Sequence, residues 1–343
     1  MSRSRTDTDG LVIGLDAGGT STRAVLLTRS GDCLGYGGSG SGNPTSAGEE
    51  LAGASVVDAV QRALAAAGRD VGEVSGIVAA MAGHGARGGA VRWLEDALSQ
   101  AGYRGELEFE SDLLALYFSG TASPGGYAIV SGTGAAAIRV EDGELSGTVD
   151  GLGWLLGDRG SGFWIGHHVA LAAVEDLDGR GPATALTAAV LEALDVVPGD
   201  VLGYGRPASL EALIRTVYRL RPVELSRLAP LAFAAAEEDA QAQGILTRAG
   251  ELLAASFAAI HRGPGPLVTG GSVLAQPGLL ADAFTAGVEA VSPGVERIPV
   301  ADGVVGAGHL ALRHAGAEPD AGGHAALTVS IAAARAGRGT SAP

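Results

Sequence analysis

Apolar residues in this chain occur in short continuous runs and in longer stretches with helical spacing, and the two kinds alternate. Leu11-Val12-Ile13 and Ala24-Val25-Leu26-Leu27 are runs of the first kind, separated by a polar, glycine-bearing turn from Asp16 to Thr22. Two buried strands joined by a small loop are predicted, a β-hairpin. The plan returns at Tyr127 to Val140, where Tyr-Ala-Ile-Val and Ala-Ala-Ile-Arg-Val flank Ser131-Gly132-Thr133-Gly134. The two turns are separated by about the length of one small α/β domain, so duplicated lobes are expected.

Between the hairpins the pattern predicts a third strand at Cys33 to Gly37 and a mobile loop from Gly37 to Thr45. Ser46 with Glu49 makes a capping box, and Val56, Val60 and Leu64 mark one face of the helix that follows. A strand at Gly76 to Met81 ends in Ala82-Gly83-His84-Gly85, where His84 could touch a ligand, although a loop histidine is more often structural or solvated. A helix near Ala90 to Ala101 and a strand at Leu107 to Phe109 complete an α/β lobe. That strand runs into Asp112, at the step from an extended segment to an apolar helix. The position suits an N-cap and also a carboxylate presented at a strand's C-terminal edge, and it favours the cap.

Beyond the second hairpin, Gly143 to Val149 reads as a strand. Gly151 to Gly166 follows, with glycines spaced among Trp154, Asp158, Arg159 and Trp164, as in a shaped loop entering a helix. An aromatic ring beside a carboxylate is a way to hold a sugar, while the plainer reading makes Asp158 a helix cap and both tryptophans core. Val169 to Ile260 is predicted mostly helical, an insert in the second lobe. Pro266 to Val273 reads as strand, glycine turn, then helix or loop, and Val300 to Gly303 leads into an ordered element at Val304 to His314. One docking helix around Ala325 to Arg335 is expected before a disordered end.

Composition narrows the function. The chain has 343 residues and 46% hydrophobic content, with a mean hydropathy of +0.25, enough for two well-filled domains. Its formal net charge is −15, and all 23 basic residues are arginine. An acidic chain is a poor partner for nucleic acid or an anionic membrane. Without lysine, neither a P-loop nor a protein-kinase strand lysine is available. The single cysteine, Cys33, cannot form an internal disulfide or hold an iron–sulfur cluster alone. A polar lead from Met1 to Gly10 and the lack of a long apolar run predict a cytoplasmic protein.

The first turn carries candidate chemistry. Gly18 and Gly19 let backbone N–H groups approach a ligand, and the hydroxyls of Thr20, Ser21 and Thr22 follow, an arrangement suited to phosphate. Asp16 would repel phosphate unless a cation such as hydrated Mg²⁺ lay between them. An ordinary tight hairpin with a solvated Asp16 is the alternative, and the second copy of the motif argues for two phosphate clamps.

In this order the motifs resemble the sugar kinases of the actin/hexokinase/Hsp70 ATPase superfamily, in the BadF/BadG/BcrA/BcrD-type group that contains N-acetylglucosamine kinase. The resemblance runs from about Leu11 to about Ala315. It rests on Gly14-Leu15-Asp16-Ala17-Gly18-Gly19-Thr20, Asp112, Ser131-Gly132-Thr133-Gly134, Gly153-Trp154 with Leu156-Gly157-Asp158, and Thr269-Gly270-Gly271-Ser272. It implies an α/β, two-lobe actin-like (ribonuclease H-like) fold with duplicated lobes around a nucleotide and sugar cleft and a helical insert in the second lobe. The lobes would span 11–118, completed by a C-terminal helix, and 119–316, with disordered tails at 1–10 and 336–343.

The implied activity is 6-phosphorylation of a hexosamine by Mg·ATP in amino-sugar salvage, by a homodimer. Asp112 looks like the base that accepts the proton of the 6-hydroxyl. Asn43, Asp112, Gly153, Trp154 and Asp158 resemble the sugar contacts. Gly18, Gly19, Thr20, Ser21, Gly132, Thr133 and Gly134 resemble the ATP-phosphate contacts, Gly270, Gly271 and Ser272 the adenosine contacts, and Asp16 the magnesium-side carboxylate. Positioning and charge neutralisation dominate such a transfer, with general-base help adding roughly 10²–10⁴-fold.

One position departs from the pattern. Arg159 stands where relatives usually carry Glu, which would disfavour a charged 2-amino group and leave N-acetylglucosamine ahead of glucosamine, with N-acetylmuramate open. Competing members of the superfamily, the dehydratase activators with an iron–sulfur cluster and the ROK kinases with a cysteine-rich zinc motif, are disfavoured by the single cysteine. Gly14 to Gly19 lacks the G-x-G-x-x-G spacing of a dinucleotide enzyme. A non-catalytic, nucleotide-dependent sugar sensor is the reading from another class, and the retained Asp112 argues against it.

Overall fold

In the computed structural model the described residues are 10–81, 91–197, 199 and 205–337. Their contacts divide the chain into two compact units, 1–128 with 140–145 and 298–343, and 129–139 with 146–297. The second lobe expected over 119–316 therefore gives up its C-terminal part. Residues 298–316 group with the first unit because the helix there packs on that unit's own sheet.

The first unit is built on a sheet of β1 (Leu11–Ala17), β2 (Thr22–Leu27), β3 (Cys33–Ser39), β4 (Val74–Met81) and β5 (Glu106–Ser111), in the order β3-β2-β1-β4-β5. The predicted hairpin is β1 and β2, paired antiparallel from Val12 opposite Leu27 to Ala17 opposite Thr22. β1 runs parallel to β4, and β4 to β5. Every residue of β1 is buried, as expected of a central strand covered on both faces. Helix α2 (Glu49–Ala67) covers one face through Val56, Ala59, Val60 and Ala63. A helix over Val304–His314 lies so close to the other face that a Cβ on Gly14 would stand 2.5 Å from the Ala307 carbonyl oxygen.

Because β1, β4 and β5 are parallel and in register, Asp16, Ala80 and Glu110 sit level, and the strands end together at Ala17, Met81 and Ser111. The chemistry of this unit gathers at that edge. Three details differ from expectation. The segment from Gly37 to Thr45 is not a long loop, since β3 reaches Ser39 and a short helix, α1, spans Pro44–Ala47. What remains is tied down by Thr22 Oγ1 donating to Gly40 O at 2.9 Å and Gly42 N donating to Gly18 O at 3.1 Å. The N-cap of α2 is Gly48, with no side-chain cap, and not Ser46 as the capping-box pattern expected. His84 lies outside the described residues.

A second sheet, in the order β10-β9-β6-β7-β8, belongs mainly to the second unit. Its strands are β6 (Gly126–Ser131), β7 (Ala135–Glu141), β8 (Glu144–Asp150), β9 (Leu267–Gly270) and β10 (Arg297–Pro299). Following α3 (Arg92–Gln100) and α4 (Asp112–Gly120), the predicted insert is helical: α5 (Gly162–Leu177), α6 (Leu186–Ala193), α7 (Ala208–Val217), α8 (Ala229–Ala235) and α9 (Ala240–Ile260). α10 (Leu279–Val291), α11 (Val304–His314) and α12 (Ala321–Gly337) close the described chain. α12 is longer than the helix expected at 325–335 and continues past 336, where a disordered tail was expected.

Candidate functional site

In the first unit the glycine turn between β1 and β2 is closed by Gly18 N donating to Ser21 O at 3.0 Å. Gly19 and Thr20 are exposed, Gly18 and Ser21 half-buried, and all four stand at the loop tip. Thr22 does not belong with them. It is fully buried and spends its hydroxyl on Gly40, so it braces the loop and cannot meet a ligand. Asn43 follows the braced segment and opens α1, its carbonyl accepting from Ala47 N at 3.1 Å.

Asp16 is buried beneath this turn. Its Oδ2 accepts from Arg23 Nη1 at 3.3 Å and from Gly303 N at 3.1 Å. Burial pushes its carboxyl up to about 6, and the nearby Asp302 and Asp112 charges add to the rise, while Arg23 and the Gly303 N–H oppose it. A carboxylate that holds its proton this firmly is one that a nearby cation would favour in its charged form.

Asp112 opens α4 directly beyond β5. The N-cap is Ser111, not Asp112: Ser111 Oγ accepts from Leu113 N at 3.2 Å. Asp112 Oδ1 accepts from the same N–H at 3.0 Å, which fixes the carboxylate's direction. Burial raises its proton affinity, and the helix N–H groups lower it. Asp112 and Asp16 thus stand on one sheet edge, each a carboxylate in a desolvated setting.

The second turn, Gly132-Thr133-Gly134, is supported differently. Gly162 N and Phe163 N, at the start of α5, donate to the carbonyls of Gly132 and Thr133 at 2.7 and 3.1 Å. Asp158, in a left-handed backbone conformation at φ 55°, sends Oδ1 to Ala135 N at 3.2 Å and lies against Gly134. Burial raises its carboxyl, and the Asp150 charge adds to the rise. Asp158, expected as a sugar contact, is therefore also a brace for this turn.

Asp150 was missed by sequence reasoning. Its carboxylate accepts from Asp158 N at 2.6 Å and Arg159 N at 2.9 Å, so it gathers both ends of the loop that carries Gly153 and Trp154. An Asp just before Gly151 was an available signal, since such residues fold loops by capping backbone N–H groups. Gly153 is exposed, and Trp154 is 42% exposed with its ring 5.9 Å from that of Phe163. The reading of Trp154 as core does not hold, because the loop turns it outward. Leu152, Leu155 and Leu156 beside it are exposed too. Trp164 is half-buried and stacks on His168 at 3.8 Å.

β9 ends at Gly270, and Gly271 makes the turn at φ 94°, where a Cβ would stand 2.3 Å from Ser131 O. Only glycine allows that approach. Val273 N then donates to Ser131 O at 2.9 Å, docking the turn onto the start of the second hairpin loop. A cavity of about 450 Å³ opens here, lined by Thr133, Ser272 and Val273, by Gln276, and by Arg227 and Phe233 from the helical insert. The volume suits a nucleotide-sized ligand, with Thr133 and the glycine turn at one wall for phosphate. Arg227 and Phe233 were not legible beforehand, because nothing local in the insert marks which residues face the sheet, and Gln276 lies beyond the glycine turn whose pattern was read.

Two sheets that each present a Gly/Thr hairpin turn, with a third glycine turn beside the second, define the two-lobed actin-like ATPase fold class. The chain belongs to the BadF/BadG/BcrA/BcrD ATPase family, whose model matches residues 13–311. A candidate N-acetylglucosamine kinase of Chromobacterium violaceum has a similar structure, with a TM-score of 0.70 and 26% identity over 89% of this chain and 99% of that one. The chain is 28% identical over 208 residues to an N-acetylmuramic acid/N-acetylglucosamine kinase of Clostridium acetobutylicum, covering 61% of this chain and 64% of the relative. It is 28% identical over 203 residues to an N-acetyl-D-glucosamine kinase of Dictyostelium discoideum, covering 56% and 63% respectively. The matches thus span somewhat under two thirds of these two relatives' own lengths.

Proposed function

We propose that the protein is an ATP-dependent sugar kinase that phosphorylates the 6-hydroxyl of an N-acetylated hexosamine, with N-acetylglucosamine the first candidate. The observation that carries the reading is Asp112, a desolvated carboxylate held at the C-terminal edge of the sheet that also bears the first glycine turn. A sugar hydroxyl is a poor nucleophile, and a carboxylate with raised proton affinity is better matched to taking its proton than an ordinary one. The names of the two curated relatives support the substrate class.

In this mechanism Asp112 orients the hydroxyl and accepts its proton as the phosphoryl group moves. Asn43, Gly153, Trp154 and Asp158 hold the sugar, Trp154 offering its exposed ring to C–H faces. Thr20, Ser21 and Thr133, with the N–H groups of Gly18, Gly19, Gly132 and Gly134, take the phosphates. Gly270, Gly271 and Ser272 shape the nucleoside wall, and Arg227 and Phe233 close its far side.

Among the described residues no group of three His, Cys, Asp or Glu side chains could hold a metal ion alone. A magnesium ion would then be held chiefly by its nucleotide and water, with Asp16 as a carboxylate on its protein side. The hard oxygen donor and the raised proton affinity of Asp16 fit that role. When bound, the ion supplies neutralisation of phosphate charge. A cytoplasmic homodimer completes the reading. No helix of the described residues is long and apolar enough to cross a membrane.

The test is ADP release with Mg·ATP across N-acetylglucosamine, glucosamine, N-acetylmannosamine, N-acetylmuramate and glucose. Turnover led by N-acetylglucosamine and lowered roughly 10²–10⁴-fold by Asp112→Asn is expected. Nucleotide binding with no sugar-stimulated turnover would overturn the kinase reading in favour of a sensor.

A further inference from the structure

The carboxylate under the first glycine turn is one end of a chain of four alternating charges. Asp16 Oδ2 lies 3.3 Å from Arg23 Nη1, and Arg23 Nε lies 3.2 Å from Asp302 Oδ2. The same Asp302 oxygen lies 2.7 Å from Arg335 Nη2. Asp16 and Asp302 are nearly buried, and Arg23 is only 28% exposed. Two acids and two bases balance, so the cluster is neutral as a whole while each member depends on its neighbours.

Arg335 reaches this cluster from the last turn of α12, the helix at the end of the described chain. Its guanidinium lies over the Tyr36 ring at 5.1 Å, and its Nε is buried without a hydrogen-bond partner. The helix itself is pinned at two further points. Ser330 Oγ accepts from Cys33 N at 2.8 Å, and His324 Nε2 is 2.7 Å from Phe118 O. Such anchoring holds the long Arg335 side chain over a fixed spot, which lowers the entropic cost of the ion pair.

We propose that Arg335 is a positioning residue for Asp16: by neutralising Asp302 it keeps Arg23 on the Asp16 carboxylate and so fixes that carboxylate's direction. Without Arg335, Asp302 is a nearly buried acid whose one remaining cationic partner among the described residues is Arg23. Arg23 is then drawn from Asp16 toward Asp302, and Asp16 is left desolvated and less constrained. A buried pair that loses one member costs far more than a pair removed whole. The C-terminal helix would in this way set the geometry of the phosphate end of the site. The activity arm of this inference rests on the kinase reading above; its stability arm does not.

The experiment is a cycle of Arg335→Met, Asp302→Asn and the double variant, with Arg335→Lys as the conservative control. Arg335→Met should lower kcat about tenfold and raise the Mg²⁺ concentration for half-maximal rate severalfold, with KM for the sugar within about twofold. Arg335→Lys should keep most of the rate, since it restores the charge without the fork. The decisive variant is the double one, in which neutrality returns: kcat within about threefold of the parent is expected, well above Arg335→Met alone. Thermal unfolding without ligand should follow the same order, and so should the Tm rise on adding Mg·ADP.

If the double variant is worse than Arg335→Met, or falls by the product of the single losses, Arg335 acts by packing on Tyr36 and the proposal is overturned. An Arg335→Met protein with unchanged Tm and unchanged Mg·ADP response overturns it too. Should no sugar be turned over by any variant, the kinase reading fails while the two thermal measurements still decide the role of Arg335.

Discussion

The two hairpin turns look alike in sequence and are held in opposite ways. The first, Gly18 to Ser21, sits over a charge cluster in which Asp16 is buried against Arg23 and a single backbone N–H. The second, Gly132 to Gly134, is held by backbone hydrogen bonds from the start of α5 and by Asp158, with a nucleotide-sized cavity alongside. A turn held mainly by backbone bonds depends on charge only through its one carboxylate brace, Asp158. A turn propped by a buried carboxylate stores unfavourable desolvation that a bound cation relieves. On the kinase reading proposed above, the first turn would be the one whose charge is left costly in the free protein, a setting in which activity is gained at the expense of stability.

The largest effect is expected at the catalytic edge. Asp112→Asn should lower kcat roughly 10²–10⁴-fold while leaving Tm close to the parent. A steady-state assay with a melting curve on the same sample checks it, and equal losses of fold and rate would remove Asp112 from the base role. The rate should also fall on acidification at a pH above the ordinary carboxylate range near 4, because burial favours the protonated, inactive form of Asp112.

Next in size is the charge under the first turn. Folding raises the Asp16 carboxyl from 3.8 to about 6, so the folded state binds the proton more tightly than the unfolded one. Ionised Asp16 thus destabilises the fold above pH 6, by about 3 kcal/mol at one pKa unit per 1.4 kcal/mol, and the penalty fades as pH falls from 6 to 4. Asp16→Asn should raise Tm near pH 8, with the gain shrinking toward pH 4, while abolishing Mg-dependent turnover. A Tm gain that stays flat with pH would break the contrast between the two turns.

The second turn should respond with the opposite sign. Asp158→Ala strips Ala135 N of its acceptor and places alanine in a left-handed conformation, at a cost of about 1–3 kcal/mol. Tm should fall, and KM for the nucleotide should rise more than KM for the sugar if bracing the turn is the main role of Asp158. The reverse split would assign Asp158 to the sugar instead. Arg227→Ala is the smallest change. The guanidinium is exposed, with Glu224 as a charged neighbour, so KM for the nucleotide should rise only about three- to tenfold, at nearly unchanged Tm.

Several expectations were legible because they rest on neighbours in the chain. Strands β1, β2, β6 and β7 lie where continuous apolar runs lie, and the ordered element expected at Val304 to His314 is a helix over those residues. Caps were less legible. Ser111 took the cap expected of Asp112, and Gly48 that expected of Ser46, because a cap depends on where the chain enters the helix and not on residue type alone. Asp150 escaped notice because a single Asp before a glycine is common, and only the folded loop brings two N–H groups onto it.

Local order along the chain was enough to settle the two glycine hairpins, the α/β alternation, the helical insert and the absence of lysine-based phosphate chemistry, since each follows from the spacing of apolar residues or from composition. Tertiary structure alone decided which partners the charges found. Asp16 meets Gly303 and, through Arg23 and Asp302, the Arg335 of the last helix, while Thr133 shares its cavity with Arg227 and Phe233 of the insert. Apolar periodicity is written in adjacent residues, but an ion pair or a cavity wall is made by segments far apart in the chain, and its energy exists only once the fold has brought them together.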